Sequence, residues 1–228
     1  RFIPHRVVAP GGAGEGLLTG YYEPLLRGGR SPDGRYRHPL YAPPDDLITV
    51  DLAAVAPDTR NLRLKGRLEG RKLVPYWSRA EIDRGRAPLA GRELAWVDDA
   101  LDLFFLQIQG SGRIRLPDGS LLRVGYADQN GHPYRSVGRL LVERGELALE
   151  AASMQGIRDW ARANPAKVPE LLAENPSYVF FRELPSGNDG PPGSLGVPLT
   201  AGRSLAVDPS AVPMGAPVFI DSVMPGSE

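Results

Sequence analysis

The sequence predicts a mainly β fold with a helical patch in its second half. The first observation is a high content of turn formers, with 27 glycines and 23 prolines in 228 residues, well above their usual combined share of about 12%. These residues are scattered, so they punctuate short strands and do not form a low-complexity tract. The second observation is that apolar residues recur at helical spacing only after residue 134.

The first half of the chain alternates turn signals with short apolar runs. Turns are predicted at residues 10–12, 28–29 and 31–34. A short helix is predicted over residues 79–86, because Ser78 and Glu81 have the spacing of a capping box. Residues 102–115 are predicted to form a buried strand that glycines interrupt at 110–112. A turn at 117–120 then leads to a strand at 121–126.

The second half contains the predicted helices. Residues 136–144 carry apolar side chains at helical spacing and reach Gly145, a common helix terminator. Residues 153–163 and 168–173 repeat the pattern, and each of these segments is followed by an Asn-Pro pair. Strand character returns at 178–181, and residues 195–221 are predicted to form two or three short strands.

Composition excludes several classes of function. The chain has 27 basic and 27 acidic residues, so no overall field attracts polyanions and nucleic acid is not an expected partner. It has no cysteine, and its histidines, His5, His38 and His132, are far apart. Neither a metal site nor a cofactor is therefore expected. No run approaches the ~20 apolar residues that a membrane-spanning helix needs.

The most informative motif is Gln-Ile-Gln-Gly-Ser-Gly at residues 107–112. On the predicted strand, Gln107 and Gln109 would point to the same side, because side chains alternate with period two. Their amides can donate to and accept from sugar hydroxyls and N-acetyl groups, and Gly110 would let a ligand approach the backbone beside Ser111. A buried polar pair at a strand end is an equally good interpretation.

Three other segments are candidates for a site. Tyr21, Tyr22 and Glu23 place two aromatic faces beside a carboxylate after Gly20, which suits a sugar ring but is also typical of a packed aromatic strand. Residues 126–135 form a polar loop that either lines a groove or crosses the surface. Asp208 ends a short apolar run, where it is either an active-site acid or a capping residue.

Six ordered motifs resemble one family of enzymes. They are Gly-Tyr-Tyr-Glu-Pro at 20–24, Gln-Ile-Gln-Gly-Ser-Gly at 107–112, Asn-Gly-His-Pro-Tyr-Arg-Ser-Val-Gly at 130–138, Ser-Met-Gln at 153–155, Asn-Pro-Ser-Tyr-Val-Phe-Phe at 175–181 and Gly-Arg-Ser-Leu-Ala-Val-Asp at 202–208. In this order they are similar to the membrane-bound lytic transglycosylase A family. The resemblance implies a double-psi β-barrel domain, residues 1–25 and 178–228, with a second β-barrel-like domain inserted at 26–177.

The resemblance also implies a reaction and a site. Members of this family cleave the β-1,4 bond between N-acetylmuramic acid and N-acetylglucosamine in peptidoglycan and leave 1,6-anhydro ends. Asp208 matches a supporting aspartate, whereas the catalytic aspartate belongs to an Asp-x-Gly-Gly-Ala-Ile motif that these 228 residues do not contain. The expected glycan-binding residues are Gly20, Tyr21, Tyr22, Glu23, Gln107, Gln109, Gly110, Ser111, Tyr126, Asn130, Tyr134 and Arg135.

Two functions follow from this resemblance. One is a lytic transglycosylase of which this chain alone is inactive, and the other is a non-catalytic peptidoglycan-binding module. The expected partners are peptidoglycan glycan strands and proteins of cell-wall synthesis or hydrolysis, with a monomeric chain and no cofactor. The expected location is the periplasm, at the outer membrane in the full-length protein.

Overall fold

A computed structural model describes residues 20–59, 64–187, 190–209 and 211–220. The chain divides into two compact units. One unit is Tyr22–Gly187, and the other combines Arg1–Tyr21 with Asn188–Glu228. The predicted domain boundaries at residues 25 and 178 stay predictions.

The unit Tyr22–Gly187 contains all the regular strands and α-helices found in the described ranges. The strands are β1 Leu25–Gly29, β2 His38–Tyr41, β3 Ile48–Val50, β4 Leu64–Glu69, β5 Lys72–Pro75, β6 Glu93–Val97, β7 Ser111–Arg115, β8 Leu121–Gln129 and β9 Val179–Glu183. The helices are α1 Arg79–Asp83, α2 Ala100–Gln109, α3 Val137–Glu143, α4 Met154–Ala163 and α5 Val168–Ala173. Short 3₁₀ turns occupy Pro57–Thr59, Leu149–Ala151 and Pro165–Lys167.

Most strands join one six-stranded sheet in the order β2-β6-β1-β7-β8-β9. The β1–β7 pair is parallel and places Leu26 beside Ile114, while the other neighbours are antiparallel. Strands β3, β4 and β5 form a separate antiparallel sheet. The prediction of a sheet-rich fold with helices is confirmed. The large sheet ends at β2 and β9, so the described residues form no closed barrel.

The helical patch is where the sequence predicts it. Helices α3, α4 and α5 lie within the three predicted segments. Ser136 and Ser153 cap α3 and α4 by accepting hydrogen bonds from the backbone N–H groups of Arg139 and Gly156. The predicted helix at residues 79–86 is confirmed at its start but ends at Asp83, and the Glu81 carboxylate accepts from the Ser78 backbone N–H at 2.9 Å. No helix in the described ranges is long and apolar enough to cross a membrane.

The predicted strand over residues 102–115 is wrong in its first half. Residues Ala100–Gln109 form α2, and only Ser111–Arg115 form a strand. The Asp99 carboxylate caps the helix by accepting from the Leu101 and Asp102 N–H groups at 2.8 and 2.9 Å. Gly110 ends it in the left-handed conformation with φ of 79°, which glycine adopts without steric cost.

Helix α2 is apolar nearly all round because it is covered on two sides. Leu103 and Leu106 pack in the core of the large sheet. Phe104 and Phe105 pack in the helical core, together with residues of α3, α4 and α5. A helix buried in this way has no strongly polar face. It therefore connects the sheet to the helical patch.

The strands predicted within residues 195–221 are not present in the described part of that segment. Only an isolated bridge pairs Pro192 with Pro198 there. Prolines at 191, 192, 198, 209, 213 and 217 supply no backbone N–H for a ladder. The chain forms turns instead, and the Asp208 carbonyl accepts from the N–H groups of Ala211 and Val212.

Candidate functional site

The end of α2 forms one wall of a cavity of about 570 Å³. The other walls come from the start and outer face of α3 and from the segment that enters α4. The apolar side chains of the lining are called the floor here, and they are those of Phe105, Ile108, Val137, Val142, Leu149, Met154 and Ile157. The polar residues of the lining are called the rim, and they are Gln109, Tyr134, Ser136, Arg139, Glu143 and Ser153. A concave site with an apolar floor and a few polar groups is typical of ligand binding.

Close packing of the helices fixes the shape of this cavity. A Cβ atom on Gly138 in α3 would lie 3.2 Å from the Cδ1 atom of Ile157 in α4. A Cβ atom on Gly156 would lie 1.9 Å from the carbonyl oxygen of Ala151. Gly156 therefore permits a close approach that a larger residue would prevent, whereas at Gly138 the neighbouring side chain can adjust.

An ion pair ties α4 to α2 beside the cavity. The Arg158 guanidinium contacts the Asp102 carboxylate. The same guanidinium lies 5.0 Å from the centre of the Phe105 ring, within the range of a cation–π interaction. Because Phe105 forms part of the floor, this pair holds the helix that carries it.

Three predicted site residues meet at the cavity. Gln109 and Tyr134 line it directly. The Tyr22 hydroxyl lies 3.0 Å from the Sδ atom of Met154, which belongs to the floor. Burial raises the pKa of the Tyr134 hydroxyl, against the lowering effects of a hydrogen bond with the Ser136 side chain and of the charge on Arg79.

The predicted pairing of Gln107 with Gln109 on one face is wrong. Two residues along a helix are separated by roughly 200°, because each residue turns the chain by about 100°. Gln109 therefore lines the cavity while Gln107 is buried on the other side of α2. The Gln107 Oε1 atom accepts a hydrogen bond from the Arg79 guanidinium.

The importance of Arg79 is visible only in the folded structure. This side chain is only 4% exposed, and it also donates to the Ser177 carbonyl at 2.8 Å. Its guanidinium lies 4.9 and 5.0 Å from the ring centres of Phe104 and Tyr178. Burial lowers the pKa of this guanidinium. Nothing in the spacing of Arg79 distinguishes it from a surface arginine, so only the fold reveals this cluster.

Asn130 lies inside the protein and holds two loops together. Its Nδ2 atom donates to the carbonyls of Trp77 and Pro176 at 2.9 and 2.8 Å. Its Oδ1 atom accepts from the Tyr178 N–H at 2.9 Å. The side chain is 1% exposed, so this predicted site residue acts through the loops that it connects.

Other predicted residues make contacts within the same unit but outside the cavity lining. Glu23 pairs with Arg113 at 2.6 Å. Arg135 pairs with Glu174 at 2.8 Å. Ser111 lies opposite Gly125 at the start of the β7–β8 ladder, and the Tyr126 N–H donates to the Gly110 carbonyl at 2.6 Å.

The remaining predicted residues belong to the other unit. Gly20, Tyr21 and Asp208 are exposed there. In the described ranges, no group of three or more histidine, cysteine, aspartate or glutamate side chains could hold a metal ion.

Comparisons with known proteins give a consistent result. A family model described as the MltA specific insert domain matches residues 17–182. Over 210 residues, the chain is 35% identical to the membrane-bound lytic murein transglycosylase A of Vibrio cholerae, which covers 91% of this chain and 50% of that protein.

The chain is also similar to solved structures of lytic murein transglycosylases. A membrane-bound lytic murein transglycosylase from Agrobacterium tumefaciens superposes with a TM-score of 0.74 at 38% identity, covering 83% of this chain and 52% of that one. Escherichia coli MltA with bound chitohexaose superposes with a TM-score of 0.68 at 34% identity, covering 86% and 50%. The chain spans about half the length of the curated relatives it matches.

Proposed function

Because the chain belongs to the membrane-bound lytic murein transglycosylase A family, we propose that it is the glycan-binding part of a lytic transglycosylase. The substrate is peptidoglycan, and the bond cleaved is the β-1,4 link from N-acetylmuramic acid to N-acetylglucosamine. The product carries a 1,6-anhydromuramic end. The whole reaction belongs to the longer protein, because the relatives are about twice as long as this chain.

The observation that carries this proposal is the convergence of Tyr22, Gln109 and Tyr134 on one cavity. The E. coli relative has a structure with bound chitohexaose, an oligomer of N-acetylglucosamine. An amide can pair with an N-acetyl group, since it both donates and accepts. A tyrosine offers a flat face to a sugar ring and a hydroxyl to its edge.

The proposed chemistry needs one carboxylic acid. The acid protonates the glycosidic oxygen as the bond to C1 of the muramoyl residue breaks. The resulting carboxylate then accepts the proton of the muramoyl 6-hydroxyl, whose oxygen closes onto C1. Most glycosidases need a second carboxylate to activate water or act as a nucleophile, but an internal hydroxyl removes that need. A pKa raised by its surroundings would keep the acid protonated at neutral pH.

This acid is absent from the 228 residues, because they contain no Asp-x-Gly-Gly-Ala-Ile motif. Asp208 takes a supporting role in the proposal. Residues 1–25 and 178–228 contribute to a double-psi β-barrel, and residues 26–177 form the inserted domain that carries the cavity. The protein acts as a monomer in the periplasm, at the outer membrane, where other proteins of cell-wall synthesis or hydrolysis are its partners.

A digest of purified peptidoglycan tests the proposal. The full-length protein should release anhydro-muropeptides that mass spectrometry identifies by the loss of one water relative to hydrolytic products. The 228-residue chain alone should release none and should still bind chitohexaose. Binding without any cleavage by the full-length protein would assign it instead to the class of non-catalytic peptidoglycan-binding modules. Anhydro products from the 228-residue chain would contradict the assignment of the acid.

A further inference from the structure

Two opposite charges stand at the rim of the cavity without partners. Arg139 and Glu143 lie one turn apart on α3, and both side chains line the cavity. Neither makes an ion pair or a side-chain hydrogen bond with another described residue. By contrast, Arg135 and Arg144 nearby both pair with Glu174 at 2.8 Å. Within the described ranges, the rim therefore presents a cation and an anion that no other residue neutralises.

Apart from Tyr134, which is at the polar rim, the cavity lining offers little flat aromatic surface and consists largely of aliphatic side chains. Sugar rings bind against flat aromatic faces, with polar groups at their edges. Here Val137, Leu149, Met154 and Ile157 supply branched or flexible apolar side chains. Phe105 is 4% exposed, so its ring contributes little open face.

Peptidoglycan, the substrate in the proposed function, contains both sugar rings and a peptide with charged and aliphatic groups. Its sugars are uncharged when the lactyl group of muramic acid carries a peptide. That peptide has small aliphatic side chains, carboxylates and a free amino group. A neutral oligosaccharide can only form hydrogen bonds with the two rim charges, whereas the peptide can form an ion pair with each of them.

We propose that the cavity binds the peptide that substitutes the muramoyl lactyl group. This inference rests on the proposed function. A peptide carboxylate pairs with the Arg139 guanidinium, and a peptide amino group pairs with the Glu143 carboxylate. Alanine-sized side chains contact the floor between them. Gln109 and Tyr134 line the same cavity, so they contact the junction of peptide and glycan.

The size of the cavity agrees with this assignment. A volume of about 570 Å³ falls within the range of roughly 300–1,000 Å³ that is usual for small-ligand pockets. The Ser136 cap and the packing of Gly138 on Ile157 keep α3 in place. The two charges are therefore presented on a fixed helix face.

A comparison of two ligands by calorimetric titration tests the proposal on the full-length protein. Both are the 1,6-anhydro disaccharide product, one with a tetrapeptide on the lactyl group and one with the lactyl carboxylate capped as an uncharged amide, and neither contains a bond that the enzyme would cleave. The peptide should tighten binding about 10-fold, as one or two charge-assisted hydrogen bonds would. Raising the salt concentration should reduce this preference.

Substitutions show which residues cause the preference for the peptide-bearing disaccharide. Arg139→Gln and Glu143→Gln should each reduce the peptide preference to about 3-fold or less, with the melting temperature unchanged. Arg115→Gln and Glu170→Gln, which alter exposed charges outside the cavity lining, should leave the preference intact. Equal affinity for the two disaccharides, or a preference unchanged in both rim variants, would overturn the inference. Chitohexaose carries no peptide, so the proposed function predicts that it binds even if the peptide inference is wrong. Absence of chitohexaose binding would instead contradict the proposed function.

Discussion

The Arg79 guanidinium donates to the Gln107 Oε1 atom and thereby joins α1 to the last turn of α2. The same guanidinium donates to the Ser177 carbonyl before β9. One buried side chain thus links three segments that are distant in sequence. The cavity wall formed by the end of α2 depends on this link.

Arg79→Met should lower the free energy of unfolding by roughly 2–4 kcal/mol, because it leaves two buried acceptors without a donor. Urea titration followed by circular dichroism measures the change. Arg115→Met is the matched control, since Arg115 is exposed at the end of β7, and its effect should be within about 0.5 kcal/mol. An Arg79 variant as stable as the control would show that the guanidinium contributes nothing net to stability.

The sequence reveals helices that carry local cap signals. Ser78 with Glu81, Ser136 and Ser153 all precede helices in the structure. The apolar run of α2 is compatible with a strand as well as with a helix, because a short buried run has the same composition in both. Asp99 supplies the cap that could have distinguished them.

The candidate site is predictable only in part from the sequence. The family resemblance implies that Gln109, Tyr134 and Tyr22 bind glycan, and the structure brings these three residues to one cavity. The roles of Arg79 and Asn130 depend on contacts between distant segments. No local sequence pattern encodes contacts between distant segments, so the sequence alone does not predict the roles of Arg79 and Asn130.

Gln107→Ala and Gln109→Ala should have different effects although the residues are two positions apart. Gln107→Ala removes the acceptor of a buried guanidinium and should cost roughly 1–3 kcal/mol of stability. Gln109→Ala should leave stability nearly unchanged and weaken chitohexaose binding about 10-fold, if it leaves an N-acetyl group unpaired. Melting curves and calorimetric titration of both variants make the comparison. If both variants lost the same affinity for chitohexaose and neither lost stability, Gln107 and Gln109 would have to face the ligand together.

Gly156→Ala should be more harmful than Gly138→Ala. The new methyl group at 156 would meet a backbone oxygen, that of Ala151, at 1.9 Å, so the Leu149–Ala151 turn must move. At 138 the nearest atom is the end of the Ile157 side chain at 3.2 Å, which can rotate. Overpacking at 156 should cost roughly 1–3 kcal/mol.

The helix propensity gained at residue 138 offsets its crowding to within about 1 kcal/mol. Thermal unfolding compares the two variants, and Gly156→Ala should also weaken binding at the cavity because Leu149 lines it. Equal melting temperatures for Gly156→Ala and Gly138→Ala would mean that the turn at 149–151 can move without loss of stability.

His38 should make stability depend on pH below neutrality. Burial lowers the pKa of its imidazole, against the raising effect of Asp99 and Asp98, and Arg37 lowers it further. The unfolded chain therefore binds a proton near pH 6.5, before the folded protein does. The stabilising contribution is complete above that value, and it is lost as the pH falls through it towards the folded pKa.

Urea unfolding of the native protein and of His38→Gln from about pH 8 to about pH 5 measures this contribution, since most carboxylates titrate at lower pH. The free energy of unfolding of the native protein should fall across this window, and that of the variant should fall less. The difference between the two proteins should be constant above about pH 7.5, where the imidazole is neutral in both states. Parallel curves down to the lowest pH would show that His38 titrates alike in the folded and unfolded chains, and that its partial burial in β2 carries no penalty for the charged form.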